Sequence, residues 1–351
     1  MIPASAPAQR PADAKLLVLA ADGGLSHATR AGLAAYLRGG DVVVANDAAT
    51  IPASLAGEHE RTGATVEVRL AGWRSRIGDF EGCLAVVFGE GDYRTRTEQR
   101  PAAPVLRAGD RLRLGPLRAT VVDILTPPRL VALDFDGGSA SVWAGLAAHG
   151  RPIQYAHVPQ PLDLWDVWTP LAAPPAAFEP PSAGFALDWR TRSTLRARGV
   201  SWATLTHAAG LSATGDDALD ARLPLPEPYE IPAATVRAVA RARACGGRVI
   251  AIGTTVVRAL EHAASRRALR AGSGVADQCI GPATPLRVVD LLLTGTHEAG
   301  TSHYGLLGAF VNEQTLRAMS DALDAGQYRT HEFGDSVLVA RELPCAAAVG
   351  W

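Results

Sequence analysis

The stretch Arg248–Glu261, RVIAIGTTVVRALE, decides the fold. Its first part is apolar and β-branched and reads as a buried strand, Arg248–Ile252. Gly253-Thr254-Thr255 follows at once and leads into a helical run from Thr255 to about Arg267. Glycine permits the tight turn between the two. The threonines set hydroxyls beside the unpaired N–H groups of the first helical turn, and such a terminus suits carboxylate or phosphate oxygens. Arg258 and Glu261 lie three apart and share a face of that helix. A strand–glycine–helix junction is also a purely structural device in α/β proteins, so the chemistry has to be sought in what surrounds it.

The nearest such surroundings are Leu286–His303, LRVVDLLLTGTHEAGTSH. A buried strand, Leu286–Leu293, would carry Asp290 in its middle, which is costly unless the carboxylate is paired. Beyond it gather Thr294, Thr296, His297, Glu298, Thr301, Ser302 and His303. Polar residues at the carboxyl end of a strand are where α/β folds place chemistry. His297 and His303 lack the i,i+4 spacing of a helical zinc pair, so no metal site is expected. His297 reads either as a catalytic or ligand-contacting group or as a satisfied core histidine.

Outward from these segments the texture is uneven. Residues 1–14 are rich in Pro and Ala and read as an extended arm. A strand at Leu16–Ala21, a helical stretch at Ala31–Leu37 and a buried strand at Asp41–Ala45 follow. From about Gly57 to Gly150 the runs become short and alternating: Thr65–Leu70, Leu84–Val87, Arg111–Leu114, Ala119–Leu125 and Val131–Phe135. Strands this short, separated by glycine turns, predict a small antiparallel barrel or sandwich. A proline-rich connector covers residues 158–183. Helices are then expected at Thr191–Arg198, Pro232–Cys245 and Gln314–Ala325, and a last strand at Ser336–Ala340. The expected architecture is a mixed α/β body, residues 1–56 and 153–351, interrupted by an antiparallel β-barrel-like domain at 57–152.

Composition fits that division. The 351 residues correspond to two domains at roughly 150 residues each. Hydrophobic residues are 48% and charged residues 20%, a globular composition. The 34 basic and 35 acidic residues give a net charge of −1, which excludes a histone-like polycation. Lys15 is the only lysine, so 33 of the 34 basic residues are arginine, the pattern of GC-rich codon usage. No apolar run approaches the roughly 18–20 residues of a membrane span. Leu16–Ala21 stops at Asp22 without a cationic lead-in, so it does not read as a signal peptide. Cys83, Cys245, Cys279 and Cys345 form no CxxC pair, and reduced cysteines in the cytoplasm are the expectation.

Read together, several segments resemble the S-adenosylmethionine:tRNA ribosyltransferase-isomerase family of queuosine biosynthesis. They are GDVVVANDAATIPASLAG (Gly40–Gly57), TGATVEV (Thr62–Val68), GRPIQY (Gly150–Tyr155), PSAG (Pro181–Gly184), YEIPAAT (Tyr229–Thr235), RVIAIGTTVVRALE, VVDLLLTGTH (Val288–His297) and YRTHEFGDS (Tyr328–Ser336). The resemblance implies an α/β domain interrupted by a barrel and S-adenosylmethionine as a substrate. Its ribosyl part would pass to an (aminomethyl)deazaguanine base in tRNA, with loss of adenine and methionine. The sulfonium acidifies the adjacent C5′ hydrogens, so a base is needed, and the sulfonium itself calls for carboxylate or aromatic neighbours. The resemblance puts Gly253, Thr254, Thr255 and Arg258 at the methionine carboxylate or a ribose hydroxyl. It puts Ser182 and Gly184 along the adenosyl group, with Tyr229 and Asp335 also in the binding set. His297 is the expected acid/base. Glu227 and Asp290 would pair with the sulfonium or orient a histidine, and His207 completes the catalytic set. No metal is implied.

The chain departs from the family at definite places. The asparagine–aspartate–threonine–arginine run is Asn46-Asp47-Ala48-Ala49, and a further arginine is replaced by Ser54. The signature histidine after PSAG is missing in Pro181–Leu187, and another is missing before Glu227 in Pro224-Leu225-Pro226-Glu227. The asparagine–phenylalanine–histidine segment keeps only His297 in Gly295-Thr296-His297-Glu298-Ala299. The losses cluster in signature segments, as in a divergent paralogue. Three readings stay open. The first is the family activity on tRNA, with phosphate-reading arginines sought among Arg190, Arg192, Arg196, Arg198, Arg237, Arg241, Arg243, Arg266, Arg267 and Arg270. The second is cleavage of S-adenosylmethionine or transfer of part of it to a small-molecule acceptor. The third is a non-catalytic sensor of an adenosyl ligand.

Overall fold

The computed structural model describes residues 1–7, 14–126 and 129–342. The arm expected at 1–14 lies in part outside them, as does Cys345. The described start of that arm is held down, because Ile2–Pro3 pairs in parallel with Arg329–Thr330. Among the described residues, nine strands form one sheet, in the order Gly272–Ala276, Glu227–Ile231, Ser201–His207, Val42–Asn46, Val249–Ile252, Leu291–Gly295, Ser336–Ala340, Lys15–Leu19 and Leu25–Thr29. The centre is parallel: Val42–Asn46 lies between Ser201–His207 and Val249–Ile252, and the latter pairs in parallel with Leu291–Gly295. Both outer edges are antiparallel.

The apolar runs of the central strands are explained by burial on both faces. Leu17, Leu19, Val42, Val44, Val249, Ala251 and Leu292 enter one core. Leu16, Val18, Val43, Ala45, Ile250, Ile252 and Leu293 enter the other. Alternate residues point to opposite sides of a strand, so a continuous apolar run fills two cores at once. Helices Ala233–Ala244 and Thr254–Ala263 cover the first face.

The barrel is closed. Its six strands run in the order Leu117–Thr126, Leu130–Phe135, Cys83–Phe88, Ala64–Gly72, Ser54–His59 and Arg111–Leu114. All described neighbours in it are antiparallel. It encloses an apolar core, including Val66, Val68, Val87, Leu112 and Leu133, within a cluster that continues into Phe178 and Leu211 of the α/β body. Its first strand begins at Ser54, three residues before the stretch where the sequence texture changes. Trp73 and Phe178 pack with ring centroids 4.9 Å apart, and the Trp73 indole donates to the Ala176 carbonyl at 2.7 Å. The connector therefore seals the barrel against the α/β body instead of lying loose. No helix among the described residues is long and apolar enough to cross a membrane.

Some local expectations are corrected. Ala31–Leu37 is a 3-10 helix, Arg30–Tyr36. The strand expected at Leu286–Leu293 is Leu291–Gly295, so Asp290 precedes it instead of sitting in its middle. The helix Ser139–His149 and the strands Ser201–His207, Glu227–Ile231 and Gly272–Ala276 add to the elements that the sequence pattern predicts.

Candidate active site

The carboxyl ends of the parallel strands open on a cavity of about 320 Å³. Gly253, Thr254, Thr255 and Arg258 line it from the strand–helix junction, Thr294 and His297 from the next strand and its loop, and Ser182 and Glu227 from the opposite side. Gly253 has φ 91° and ψ 154°, a conformation that side chains resist. The helix Thr254–Ala263 starts immediately after it, so the amides of Thr254 and Thr255 precede any i−4 partner and are available to an anion. Asn46 binds the strand ends together. Its amide donates to the His207 carbonyl at 2.9 Å and to Thr255 Oγ1 at 3.4 Å, and its Oδ1 accepts the His207 amide at 3.0 Å.

Behind the wall lies a buried charged group. Arg258 Nη1 bonds Glu227 Oε2, while Glu227 Oε1 accepts the Gly210 amide at 2.6 Å. Arg258 Nη2 also donates to the Ala276 carbonyl at 2.8 Å. Burial pushes the Glu227 carboxyl up and Arg258 opposes this. Arg258 does not pair with Glu261. That carboxylate instead accepts the amides of Arg287, Val288 and Val289 at 2.7, 2.9 and 2.9 Å. Although they share a helix face, Arg258 is taken up by Glu227 at the cavity, and Glu261 by the chain entering the strand Leu291–Gly295.

His207 is fully buried, with Nε2 3.5 Å from Glu227 Oε2, too long for a good hydrogen bond. Burial, then Arg258, drives its pKa well below the ordinary histidine value. His297 Nε2 lies 2.8 Å from Thr294 Oγ1, and its ring stacks on that of His303 with centroids 4.9 Å apart. Burial, then His303 and His331, hold His297 far below the usual range, and His303 is pushed down to about 4. Both rings are neutral at pH 7. His297 thus offers hydrogen bonds, not a proton held in reserve. Among the described residues, no three or more His, Cys, Asp or Glu are grouped to hold a metal ion.

Four expected site residues lie elsewhere. Asp290 sits at the opposite end of its strand from His297, about 16 Å away at 3.3 Å per residue. It accepts the Val249 amide at 2.8 Å and lies 3.6 Å from both Arg243 and Arg341. Tyr229 bonds His262 Nδ1 at 2.9 Å and lines a separate cavity. Asp335 accepts the Lys15 and Arg329 amides, each at 2.8 Å, and so ties strands together. Gly184 is buried beside Thr169, whose Cγ2 would meet an added Cβ at 3.0 Å, so it serves packing. Conversely, Glu179, Ser212 and Cys279 line the main cavity although no sequence motif marks them as site residues. A carboxylate three residues ahead of Ser182 within a proline run was the available signal for Glu179.

A family model for queuosine biosynthesis proteins matches residues 1–339. The chain belongs to that family. An S-adenosylmethionine:tRNA ribosyltransferase-isomerase of Sorangium cellulosum is 36% identical over 345 residues, covering 90% of this chain and 88% of the relative. One of Thermosynechococcus vestitus is 34% identical over 308 residues, covering 86% and 82%. The crystal structure of an S-adenosylmethionine tRNA ribosyltransferase from Thermotoga maritima matches with TM-score 0.51 at 23% identity, covering 96% of both chains, and shares the fold. In this queuosine-family chain, Ala49 and Ser54 hold positions with structural roles. Ala49 pairs with Pro175 in a short parallel bridge. Ser54 Oγ donates to Glu67 Oε1 at 2.7 Å on the outer face of the barrel wall.

Proposed function

We propose that this chain uses S-adenosylmethionine as a ribosyl donor to modify a base in tRNA. The observation that carries the reading is the convergence of the Gly253-Thr254-Thr255 helix start, His297 and the Glu227–Arg258 pair on one cavity, in a chain of this family. The free amides at the helix start would receive the methionine carboxylate or a ribose hydroxyl. The Glu227–Arg258 pair, with His207 behind it, holds the far wall in place. Ser182 lies along the adenosyl group, and neutral His297 hydrogen-bonds the reacting part of the substrate. Asp290, Tyr229, Asp335 and Gly184 support the scaffold.

Support for an RNA partner comes from a neighbouring cavity of about 910 Å³, lined by Arg266, Arg267, Arg270 and Arg287. Cys279 and Ile280 line both cavities, so phosphates held by these arginines would lie beside the reaction chamber. A tRNA-modifying role places the chain in the cytoplasm. The same reading divides the chain into an α/β body and an inserted barrel domain, supported by the closure of the six strands, with the first of them beginning at Ser54, ahead of the expected boundary at 57.

The test is incubation with S-adenosylmethionine and tRNA, followed by mass spectrometry of adenine, methionine and the RNA nucleosides. Release of both small products with a new nucleoside is the expected result. Release without tRNA modification would move the reaction to a small-molecule acceptor. Tight ligand binding without any product would make the protein a sensor.

A further inference from the structure

Among the described residues, Glu179 is the one carboxylate on the cavity wall that no cation neutralises. Glu227, the other, is locked to Arg258. Glu179 is buried, and both of its hydrogen bonds fall on Oε1, from the Tyr155 hydroxyl and from the Ser212 amide at 3.1 Å. Oε2 is thereby left for a ligand. Ser212 lines the main cavity and also a second, outer cavity of about 850 Å³, which Tyr155, His157 and Glu332 line as well. Glu179 and its hydrogen-bond partners therefore form the partition between the reaction chamber and an opening toward solvent.

Resting on the proposed use of S-adenosylmethionine, we propose that Glu179 is the proton-transfer group of this cavity, positioned by Tyr155 and Ser212. Its carboxylate takes a proton from the carbon beside the sulfonium. The electron pair of that C–H bond stays on carbon as a sulfonium ylide. The proton then leaves Glu179 for water in the outer cavity, past Tyr155 and Ser212. No oxidant or further reactant is required.

The surroundings favour the role. The titratable and charged groups around Glu179 are Tyr155, which stacks on Arg69, then Glu332 with His157, and across the cavity Glu227, Arg258, His297 and His303. Burial first, then the Glu332 charge, pushes the Glu179 carboxyl up to about 7, against the bonds from Tyr155 and Ser212 that favour the anion. A base with a pKa near the working pH transfers protons most effectively. The histidines of the cavity are too weakly basic to compete.

The test compares wild type, Glu179→Gln and Tyr155→Phe in adenine release from S-adenosylmethionine with tRNA, across pH 5–9, alongside binding calorimetry. Glu179→Gln should slow release about 10²–10⁴-fold at saturating S-adenosylmethionine, beyond any loss of affinity that calorimetry reads, and abolish the limb of the pH profile near neutrality. Tyr155→Phe removes a bond that favours the anion and should move that limb to higher pH. A second readout needs no turnover. Because the folded pKa lies above the unfolded one, Glu179 ionisation costs stability as pH rises, so Glu179→Gln should raise the melting temperature more at pH 8 than at pH 5. Active wild type with an equally active Glu179→Gln variant overturns this inference alone. So does a pH profile that Tyr155→Phe leaves in place. A wild type that turns over nothing overturns the functional reading and this inference with it.

Discussion

His297 and Gly253 show how single positions control the cavity. His297 hydrogen-bonds Thr294 and stacks on His303, and it is neutral because burial and two neighbouring histidines oppose its charge. His297→Ala should reduce turnover at least 100-fold while leaving the urea midpoint within experimental error, since the side chain is half-buried and makes one side-chain hydrogen bond. Steady-state rates beside a denaturation curve check this. At Gly253, φ 91° and ψ 154° place the backbone where a Cβ is strained by about 1–3 kcal/mol. Gly253→Ala should therefore lose stability of that order and weaken S-adenosylmethionine binding as the helix start shifts. Calorimetry and urea unfolding give the two numbers.

Two elements carry further predictions. On the outer face of the barrel wall, Glu67 bonds both Arg69 and Arg100, and Arg100 also donates to the Gly89 and Gly91 carbonyls at 3.0 and 2.9 Å. Burial alone would raise the Glu67 carboxyl, but the two arginines hold it below its ordinary value. Removing that charge strands two buried guanidinium groups, and Glu67→Ala should cost about 3–5 kcal/mol in urea unfolding. The segment after the helix Thr254–Ala263 presents Arg266, Arg267 and Arg270 to the basic cavity. Reversing all three to Glu should weaken tRNA binding and flatten its salt dependence, by about one unit of slope for each phosphate no longer neutralised, with S-adenosylmethionine affinity unchanged. Filter binding over a salt series measures it.

For the molecule as a whole, stability should climb with pH through the acid range. Glu67, Asp41 and Asp110 have folded pKa values below their ordinary ones, so their contribution is complete above about pH 4.5 and is lost as pH falls below it. Glu179 has the opposite sign, and its cost grows as pH rises from its ordinary value of 4.5 to about 7. The buried His207, His297 and His303, with pKa values below the ordinary one, gain stability as pH rises toward 6.5 and outweigh that cost, so urea midpoints should rise from pH 3 to about 6.5 and Glu179→Gln should steepen the rise.

Much of this molecule was legible in the residues. Apolar runs such as VVVA at Val42–Ala45 and VIAI at Val249–Ile252 demanded strands buried on both faces, and the short alternating runs after Gly57 demanded a separate β structure. Gly253-Thr254-Thr255 marked its own helix start because glycine conformation and helix-end chemistry are local properties. Site membership was legible only in part. Asp290 looked chemical because a carboxylate beside apolar residues is costly, yet two arginines and a backbone amide distant in sequence satisfy it at the wrong end of the strand. Glu179 looked ordinary because its partners come from residues 155 and 212, far along the chain in both directions. Local sequence specified the central apolar strands, the helix start and the break in texture, all of which arise from neighbours along the backbone. Only the tertiary structure decided which carboxylates are neutralised and which face the cavity, because charge pairing and burial depend on distances that folding alone creates.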